Sequence, residues 1–387
     1  NTKKVLSAYQ KHRVAESYFA GSTGYGYDDL GRDKLDEIYA DIFGTEDALV
    51  RVGFVNGTHA ISCALFGALK PGQTLVSAVG APYDTLLGVI GVTDKGPGSL
   101  KDYGIQYRQV DLVDDEPDRE GLAQAVRDPK VGAVHIQRSR GYATRASLSV
   151  AEIGKLCKVI REANPEAAIL VDNCYGEFVE TIEPTQAGAD LVVGSLIKNP
   201  GGGLAPTGGY IAGRRDLVES CSYRLTTPGT GKEIGCTLGN NRELFMGAFH
   251  APHVTGEALK TAAFTAALFS EFGYDVTPKP DEPRADIIQA VLLRREEALI
   301  AFCQGVQKGA PVDAFVTPEP WDMPGYDCQV IMAAGAFTLG ASIELSADAP
   351  LREPYAAWMQ GGLNFHSGHL GAMLAAQSML ERGILEA

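Results

Sequence analysis

Two strand ends carry the residues with the greatest chemical reach. The run Ala167-Ala-Ile-Leu-Val-Asp172-Asn173 closes an apolar strand on an acid, and 26 residues later Leu191-Val-Val-Gly-Ser-Leu-Ile-Lys198-Asn199 sets a lysine just past another. Ligands of open α/β sheets gather at the carboxyl ends of the strands, so both groups can face one crevice. A lysine there, beside glycines and with an acid nearby, is what pyridoxal phosphate (PLP) requires. The amine forms a Schiff base with the cofactor, and the carboxylate keeps the pyridine nitrogen protonated. Singly, each residue has a plainer reading, because a lysine after a strand is usually a solvated loop residue and a strand-end Asp is often a helix cap.

Three further features fall in an order that suits the same cofactor. Gly53-Phe-Val-Asn56-Gly57-Thr58-His59-Ala60 turns a strand into a helix, and free N–H groups at such a start, helped by a hydroxyl, make a phosphate site. Tyr83, in Gly80-Ala-Pro-Tyr83-Asp-Thr85, can stack on a planar ring or pack in a core or interface. Ser195, three residues before Lys198, can donate to a phosphate or serve an ordinary turn. The specific part is the chain order: phosphate turn, aromatic, acid, then Ser-x-x-Lys.

These runs, with Gln137-Arg138-Ser-Arg140-Gly-Tyr142, Val171-Asp-Asn-Cys-Tyr-Gly176, Lys198-Asn-Pro-Gly-Gly-Gly203 and Ser342-Ile-Glu-Leu-Ser-Ala-Asp-Ala-Pro-Leu-Arg352-Glu-Pro-Tyr355, extend through almost the whole chain. In them the sequence resembles the methionine γ-lyase family, of aluminium-resistance and cystathionine β-lyase type. That family lies within the cysteine/methionine-metabolism enzymes of the aspartate-aminotransferase fold. The resemblance implies a PLP-dependent transferase-like α/β architecture of fold type I. Lys198 matches the Schiff-base lysine, Asp172 the pyridinium partner, Asn56, Gly57 and Thr58 the phosphate turn, Ser195 its hydroxyl and Tyr83 the stacking aromatic. It implies a homodimer or homotetramer with shared sites, in which an arm of the neighbouring subunit reaches the phosphate. Tyr25 and Tyr27 stand in that region, without the arginine the wider group has there. Ile197 likewise stands where the wider group has a hydroxyl.

The substrate carboxylate calls for the planar fork of an arginine. Arg352, in the run where the fold family supplies that group, is the first candidate, with Arg138 and Arg140 as rivals. The implied reaction is β- or γ-elimination on a sulfur-containing amino acid, with Lys198 as base and Lys198 or Tyr83 as a further proton carrier. An aminotransferase on the same fold, or a non-catalytic PLP-binding stress-resistance protein, are the alternatives.

The rest of the chain narrows the field. Thirty-four basic against 48 acidic residues leave a net charge of −14, which disfavours a nucleic-acid footprint. Seven scattered cysteines without a C-x-x-C pair argue against a disulfide framework or zinc ribbon and for a cytoplasmic protein. No secretory leader pattern opens the chain, and the longest apolar stretch, Val330 to Ile343, is too short to span a bilayer. His250/His253 and His366/His369 lack the acid and third ligand of a metal motif, and Pro252 argues against a regular helix at the first pair.

Seven apolar runs, Ala48–Val55, Thr74–Val79, Ile105–Asp111, Val131–Gln137, Ala167–Asp172, Ala189–Ser195 and Gly208–Gly213, predict a mostly parallel seven-stranded sheet between helices. Ser149-Val-Ala-Glu152 is a capping box opening an amphipathic helix. Beyond Arg242, helices over Thr255–Phe272, Arg284–Lys308 and Leu363–Glu381 with short strands predict a smaller α/β domain. The division is an N-terminal arm and helix (1–46), a large PLP-binding domain (47–245) and a small C-terminal domain (246–387). Of the 45 glycines, four lie in residues 21–31 and seven in residues 194–213, around the arm and the lysine.

Overall fold

The computed structural model describes residues 1–143, 145–323 and 328–385. All seven expected runs pair into one sheet. They are β1 (Asp47–Arg51), β2 (Thr74–Ser77), β3 (Gln106–Gln109), β4 (Val131–Gln137), β5 (Ala168–Asp172), β6 (Leu191–Ser195) and β7 (Gly209–Gly213), in the order β1-β7-β6-β5-β4-β2-β3. From β6 to β3 every pairing is parallel, while β7 lies antiparallel between β6 and β1. The helices before residue 241 are α1 (Thr2–Lys11), α2 (Leu30–Phe43), α3 (Gly57–Ala68), α4 (Asp84–Ile90), α5 (Arg119–Val126), α6 (Val150–Ala163) and α7 (Arg215–Leu225).

Strand alternation sorts these side chains into two cores. Val134, Ile136, Ile169, Val171 and Val192 pack with Leu35 and Ile38 of α2 and Ile153, Leu156 and Ile160 of α6. Ala133, Ala168, Leu170, Leu191 and Val193 turn the other way, with Ile61 and Leu65 of α3 and Val218 of α7. The same period of two carries the last residues of β4, β5 and β6, namely Gln137, Asp172 and Ser195, to the α3 side. Ser149 caps α6 by accepting from the Glu152 N–H at 3.1 Å, as the capping box predicts.

The remainder forms an antiparallel sheet of β8 (Asp275–Thr277), β9 (Gln289–Leu292), β10 (Val330–Ala333), β11 (Ser346–Pro350) and β12 (Ala356–Gln360), in the order β8-β9-β12-β11-β10. Helices α8 (Asn241–Glu271), α9 (Glu296–Lys308) and α10 (Phe365–Glu381) accompany it. Phe269, Phe302, Ile331, Met359 and Met379 form the core between sheet and helices.

Two expectations need correction. The helix expected over Arg284–Lys308 is split, because Gln289–Leu292 pairs with β12 and β8 as a strand and the helix begins only at Glu296. A short apolar run cannot be assigned to strand or helix by periodicity alone. The second concerns Pro252, which lies inside α8, so His250 and His253 do sit on a helix. A proline costs a helix interior about 3 kcal/mol, and burial of Ala248, Ala251, Val254 and Ala258 along the same helix offsets it. Helix α8 also runs unbroken through position 246, where the sequence pattern changes.

Past β6 the chain turns through Lys198 and a 3-10 turn, Asn199–Gly201, into Gly202 in the left-handed region at φ 53°. A Cβ on Gly202 would lie 2.4 Å from the Gly247 carbonyl oxygen of α8, so glycine is what lets the helix close on the lysine loop. Gly202→Ala is therefore expected to lower stability by about 2–4 kcal/mol through left-handed strain and overlap, measured by urea denaturation. An unchanged midpoint would mean that the loop yields without cost.

Candidate functional site

A cavity of about 730 Å³ lies between the carboxyl ends of the large sheet and the inner face of the small one. That is within the roughly 300–1,000 Å³ usual for small-molecule sites. Lys198 is half-buried in its wall, with Nζ over the face of Tyr175, 4.2 Å from the ring centroid. Burial works against the ammonium, but Cys174, Tyr175, Asp172 and Tyr83 together outweigh it and hold Lys198 charged well above the usual lysine range. Asp172 is buried at the end of β5, where its Oδ1 accepts from the Cys174 N–H at 3.1 Å.

Across from them stands the start of α3. Asn56 Oδ1 accepts from the His59 N–H at 2.8 Å, capping the helix and leaving the Gly57 and Thr58 N–H groups without a partner among the described residues. A Cβ on Gly57 would come within 3.2 Å of Ser195 Cβ, so the turn and the serine meet closely. Tyr83 is tied at both ends: its hydroxyl donates to Thr58 Oγ1 at 3.0 Å and its N–H to Gln137 Oε1 at 2.9 Å. Burial, reinforced by Asp172, pushes the Tyr83 hydroxyl far up, so it stays protonated at neutral pH. This donor set fits PLP, with an anion cradle at a helix start, an aromatic face, an acid at a strand end and an amine in one cavity.

The three arginines part company. Arg138 is fully buried away from the cavity, donating to Asn173 Oδ1 and Glu180 Oε2 at 2.8 Å each. It follows Gln137, whose side chain faces the cavity, so strand alternation turns it to the opposite side; it is a structural cation and not a substrate ligand. Arg140 lines the cavity, but its Nη1 donates to the Thr277 carbonyl and hydroxyl of β8 at 3.2 and 3.1 Å, tying the edge of the large sheet to the small one. Arg352 lines the cavity and is exposed to solvent. Tyr25 and Tyr27 do not line the cavity of their own chain; they stack on each other at 5.6 Å and are 70% and 62% exposed.

The sequence pattern does not single out several cavity residues: Gln137, Tyr142, Tyr175, Asp348, Trp358 and Gln360. Gln137 positions Tyr83, and Gln360 Nε2 donates to the Tyr175 hydroxyl at 2.8 Å. The position of Gln137 on the strand end beside Asp172, with which it pairs, is the signal that could have found it. Among the described residues no group of three His, Cys, Asp or Glu side chains is placed to hold a metal. His369 instead packs on Phe264 and Phe365, and its Nδ1 lies 3.0 Å from the Phe365 carbonyl.

Residues 1–380 match the family model described as methionine gamma-lyase. The chain is 50% identical over 387 residues to YnbB, an uncharacterized protein of Bacillus subtilis, covering all of this chain and 92% of that protein. Among solved structures, a carbon-sulfur lyase involved in aluminium resistance from Clostridium novyi is 51% identical. It superposes with a TM-score of 0.93, over 98% of this chain and 89% of that one. The pyridoxal-5'-phosphate dependent protein YhfS of Escherichia coli, only 18% identical, shares the fold at a TM-score of 0.65, over 98% and 95% of the two chains.

Behind the lysine loop, Asn199 Nδ2 donates to the Glu177 carbonyl at 3.0 Å, and the Tyr210 hydroxyl donates to Glu177 Oε1 at 2.8 Å. Burial, with Glu183 adding to it, lifts the Glu177 carboxyl from 4.5 to about 8. Between those values the folded protein keeps a proton that the unfolded chain has lost. Its contribution is therefore complete below about 4.5 and is lost as pH rises through about 8. Glu177→Gln keeps an acceptor for Tyr210 and has no proton to lose. Its melting temperature is expected to rise relative to the native protein between about pH 5 and about pH 8.5. A difference that stays constant over that range would contradict the assignment.

Proposed function

Because this chain belongs to the methionine γ-lyase family, we propose that it is a PLP-dependent carbon–sulfur lyase. It expels a thiol from a sulfur-bearing amino acid by β- or γ-elimination. The observation that carries this reading is the convergence of Lys198 Nζ, Tyr175, Tyr83, Asp172 and the start of α3 on one cavity. PLP, when bound, supplies an electron-poor ring that stores the electron pair left at the substrate's Cα.

The protein's own residues do the rest. The Gly57 and Thr58 N–H groups and the Ser195 hydroxyl hold the phosphate, Tyr83 offers its ring face, and Asp172 keeps the pyridine nitrogen protonated. With PLP and substrate bound, Lys198 Nζ would be the base placed for the Cα proton, in surroundings that favour its charged form. For γ-elimination a second proton must leave Cβ, and Lys198 Nζ would be able to carry it only after passing on the first. The protonated Tyr83 hydroxyl is a donor toward the departing sulfur. Arg352, exposed on the cavity wall, is the first candidate fork for the substrate carboxylate, with Arg140, whose Nη1 donates to Thr277, as the rival.

The test is release of a thiol and a keto acid from sulfur amino acids by the yellow holoenzyme, with turnover reduced at least about a thousandfold in Lys198→Ala. Borohydride should fix the cofactor on Lys198. Pyridoxamine phosphate forming without any thiol would overturn the lyase in favour of an aminotransferase.

The same reading includes a homodimer or homotetramer, with the Tyr25–Tyr27 pair of one chain reaching the site of another. Exposure of both rings, together with Val55 beside the phosphate turn and Leu238 beside the arm, supports it. It also includes a cytoplasmic setting, supported by seven unpaired cysteines. Light scattering should give a dimer or tetramer, and Tyr25→Ala with Tyr27→Ala should weaken cofactor retention. A monomer with full cofactor occupancy and turnover would contradict the shared site.

A further inference from the structure

The charge on Lys198 has one direct contact in the structure, and it is an aromatic one. Nζ lies over the ring of Tyr175, 4.2 Å from the centroid. Among the described residues neither a hydrogen bond nor an ion pair to Nζ accompanies it. Titratable groups face the amine from further off: Asp172, Cys174 and Tyr83 on the large-domain side, Glu177 behind the loop and Asp348 on the small sheet.

The ring is held in that place against the preference of its own backbone. Asn173-Cys-Tyr175-Gly176 is a turn closed by the Gly176 N–H on the Asn173 carbonyl at 2.9 Å, and its third residue, Tyr175, has φ 70°. That left-handed position ordinarily falls to glycine, and a bulky aromatic residue is uncommon in it. Strain of this kind persists where the surroundings impose it, and it gathers at functional sites. Here the small domain imposes it. Gln360 Nε2 donates to the Tyr175 hydroxyl at 2.8 Å, and the Ile287 N–H donates to the Tyr175 carbonyl at 3.2 Å. The side chain is thereby fixed at both ends in the cavity wall, with its face toward the amine.

The kind of partner matters. A carboxylate against Nζ in so buried a place would form an ion pair that is costly to break. A ring face attracts the ammonium more weakly, takes no proton from it and imposes no single direction. It can hold the charge while the amine is free and still give the amine up.

We propose that Tyr175 is a positioning residue whose ring face, and not its hydroxyl, seats the Lys198 ammonium whenever the amine is not joined to a cofactor. This deepens the PLP reading and rests on it, since there Lys198 alternates between a joined and a free amine. In that exchange a ligand's amine forms the bond to the cofactor's carbonyl carbon that Lys198 gives up. The proton shed by the ligand's ammonium ends on Nζ, over the ring.

The probes are an α-methyl amino acid, which has no Cα proton to lose, and the same acid without its amine, which leaves Lys198 joined. Both are titrated calorimetrically into the PLP-loaded protein at neutral pH. In Tyr175→Leu the amino acid should weaken about three- to thirtyfold more than its deamino analogue. In Tyr175→Phe, which loses the bond from Gln360 but keeps the ring, the ratio of the two affinities should stay within about twofold of the native one. A merely structural role would weaken both ligands alike. An unchanged ratio in Tyr175→Leu, or an equal fall in Tyr175→Phe, overturns the seat.

A second measurement needs neither the cofactor nor a folded leucine variant. In the cofactor-free native protein with isotope-labelled lysine Cε, the NMR signal missing from Lys198→Ala identifies Lys198. Its protons should lie upfield of those of the other lysines, as protons over a ring face do, and protons found among the rest overturn the proposal. The two readings therefore fail separately. A protein that takes up no PLP sinks the lyase while the upfield signal still decides the seat, whereas thiol release with an unchanged ratio in Tyr175→Leu sinks the seat alone.

Discussion

The ammonium of Lys198 sits over an aromatic face in the wall of the cavity, and a charge in such a place must be balanced locally. The balance depends on β5 and β6 being parallel neighbours, with Asp172 in register with Val193. Parallel pairing brings both carboxyl ends to one edge, so the acid that ends β5 and the lysine just past β6 share a field. Antiparallel pairing would have sent them to opposite ends of the sheet. The start of α3 arrives at the same edge because β1 and β7 close that side of the sheet and α3 packs across it. Close approach of Gly57 to Ser195 then completes the cradle.

The loop that carries Lys198 is fixed from behind by a second, largely buried polar network. Arg138 joins Asn173 and Glu180, Asn173 Nδ2 donates to Glu183 Oε2 at 3.1 Å, and Phe178 N–H donates to Glu183 Oε1 at 3.1 Å. Helix α1 fastens onto the same segment. Its cap residue Asn1 donates to the Phe178 carbonyl at 2.6 Å, and Lys4 lies 3.7 Å from Glu183. Buried ion pairs of this kind add little net stability, but breaking one partner is costly. They therefore hold one arrangement of residues 173–183 against alternatives, and through Asn199 and Glu177 that arrangement reaches the lysine.

The large domain was legible because its signals are local. Each strand is a short apolar run, each chemical residue stands at a strand end or a turn, and glycine clusters mark where the backbone approaches closely. The same alternation, applied one residue further, separates Gln137 from Arg138 and would have removed Arg138 from the substrate candidates. The small domain was not legible in this way. Asp348 acquires meaning only from its partner Trp358 across a hairpin and from Tyr142, which lies 206 residues away in the chain. A four-residue apolar run such as Gln289–Leu292 declares itself a strand only once β8 and β12 flank it. Pro252 misleads for a related reason, since the packing that tolerates it is tertiary.

This difference in legibility follows a division of labour. The residues that fit the cofactor belong to the large sheet and its turns, whereas Asp348, Trp358 and Gln360 on the opposite wall of the cavity belong to the small one. The two are nevertheless pinned together at the site. Ile343 N–H donates to the Ile197 carbonyl at 3.0 Å, Ile287 N–H to the Tyr175 carbonyl at 3.2 Å, and Gln360 to the Tyr175 hydroxyl. These bonds end on residues next to or touching Lys198, so the wall is held at a set distance from the amine.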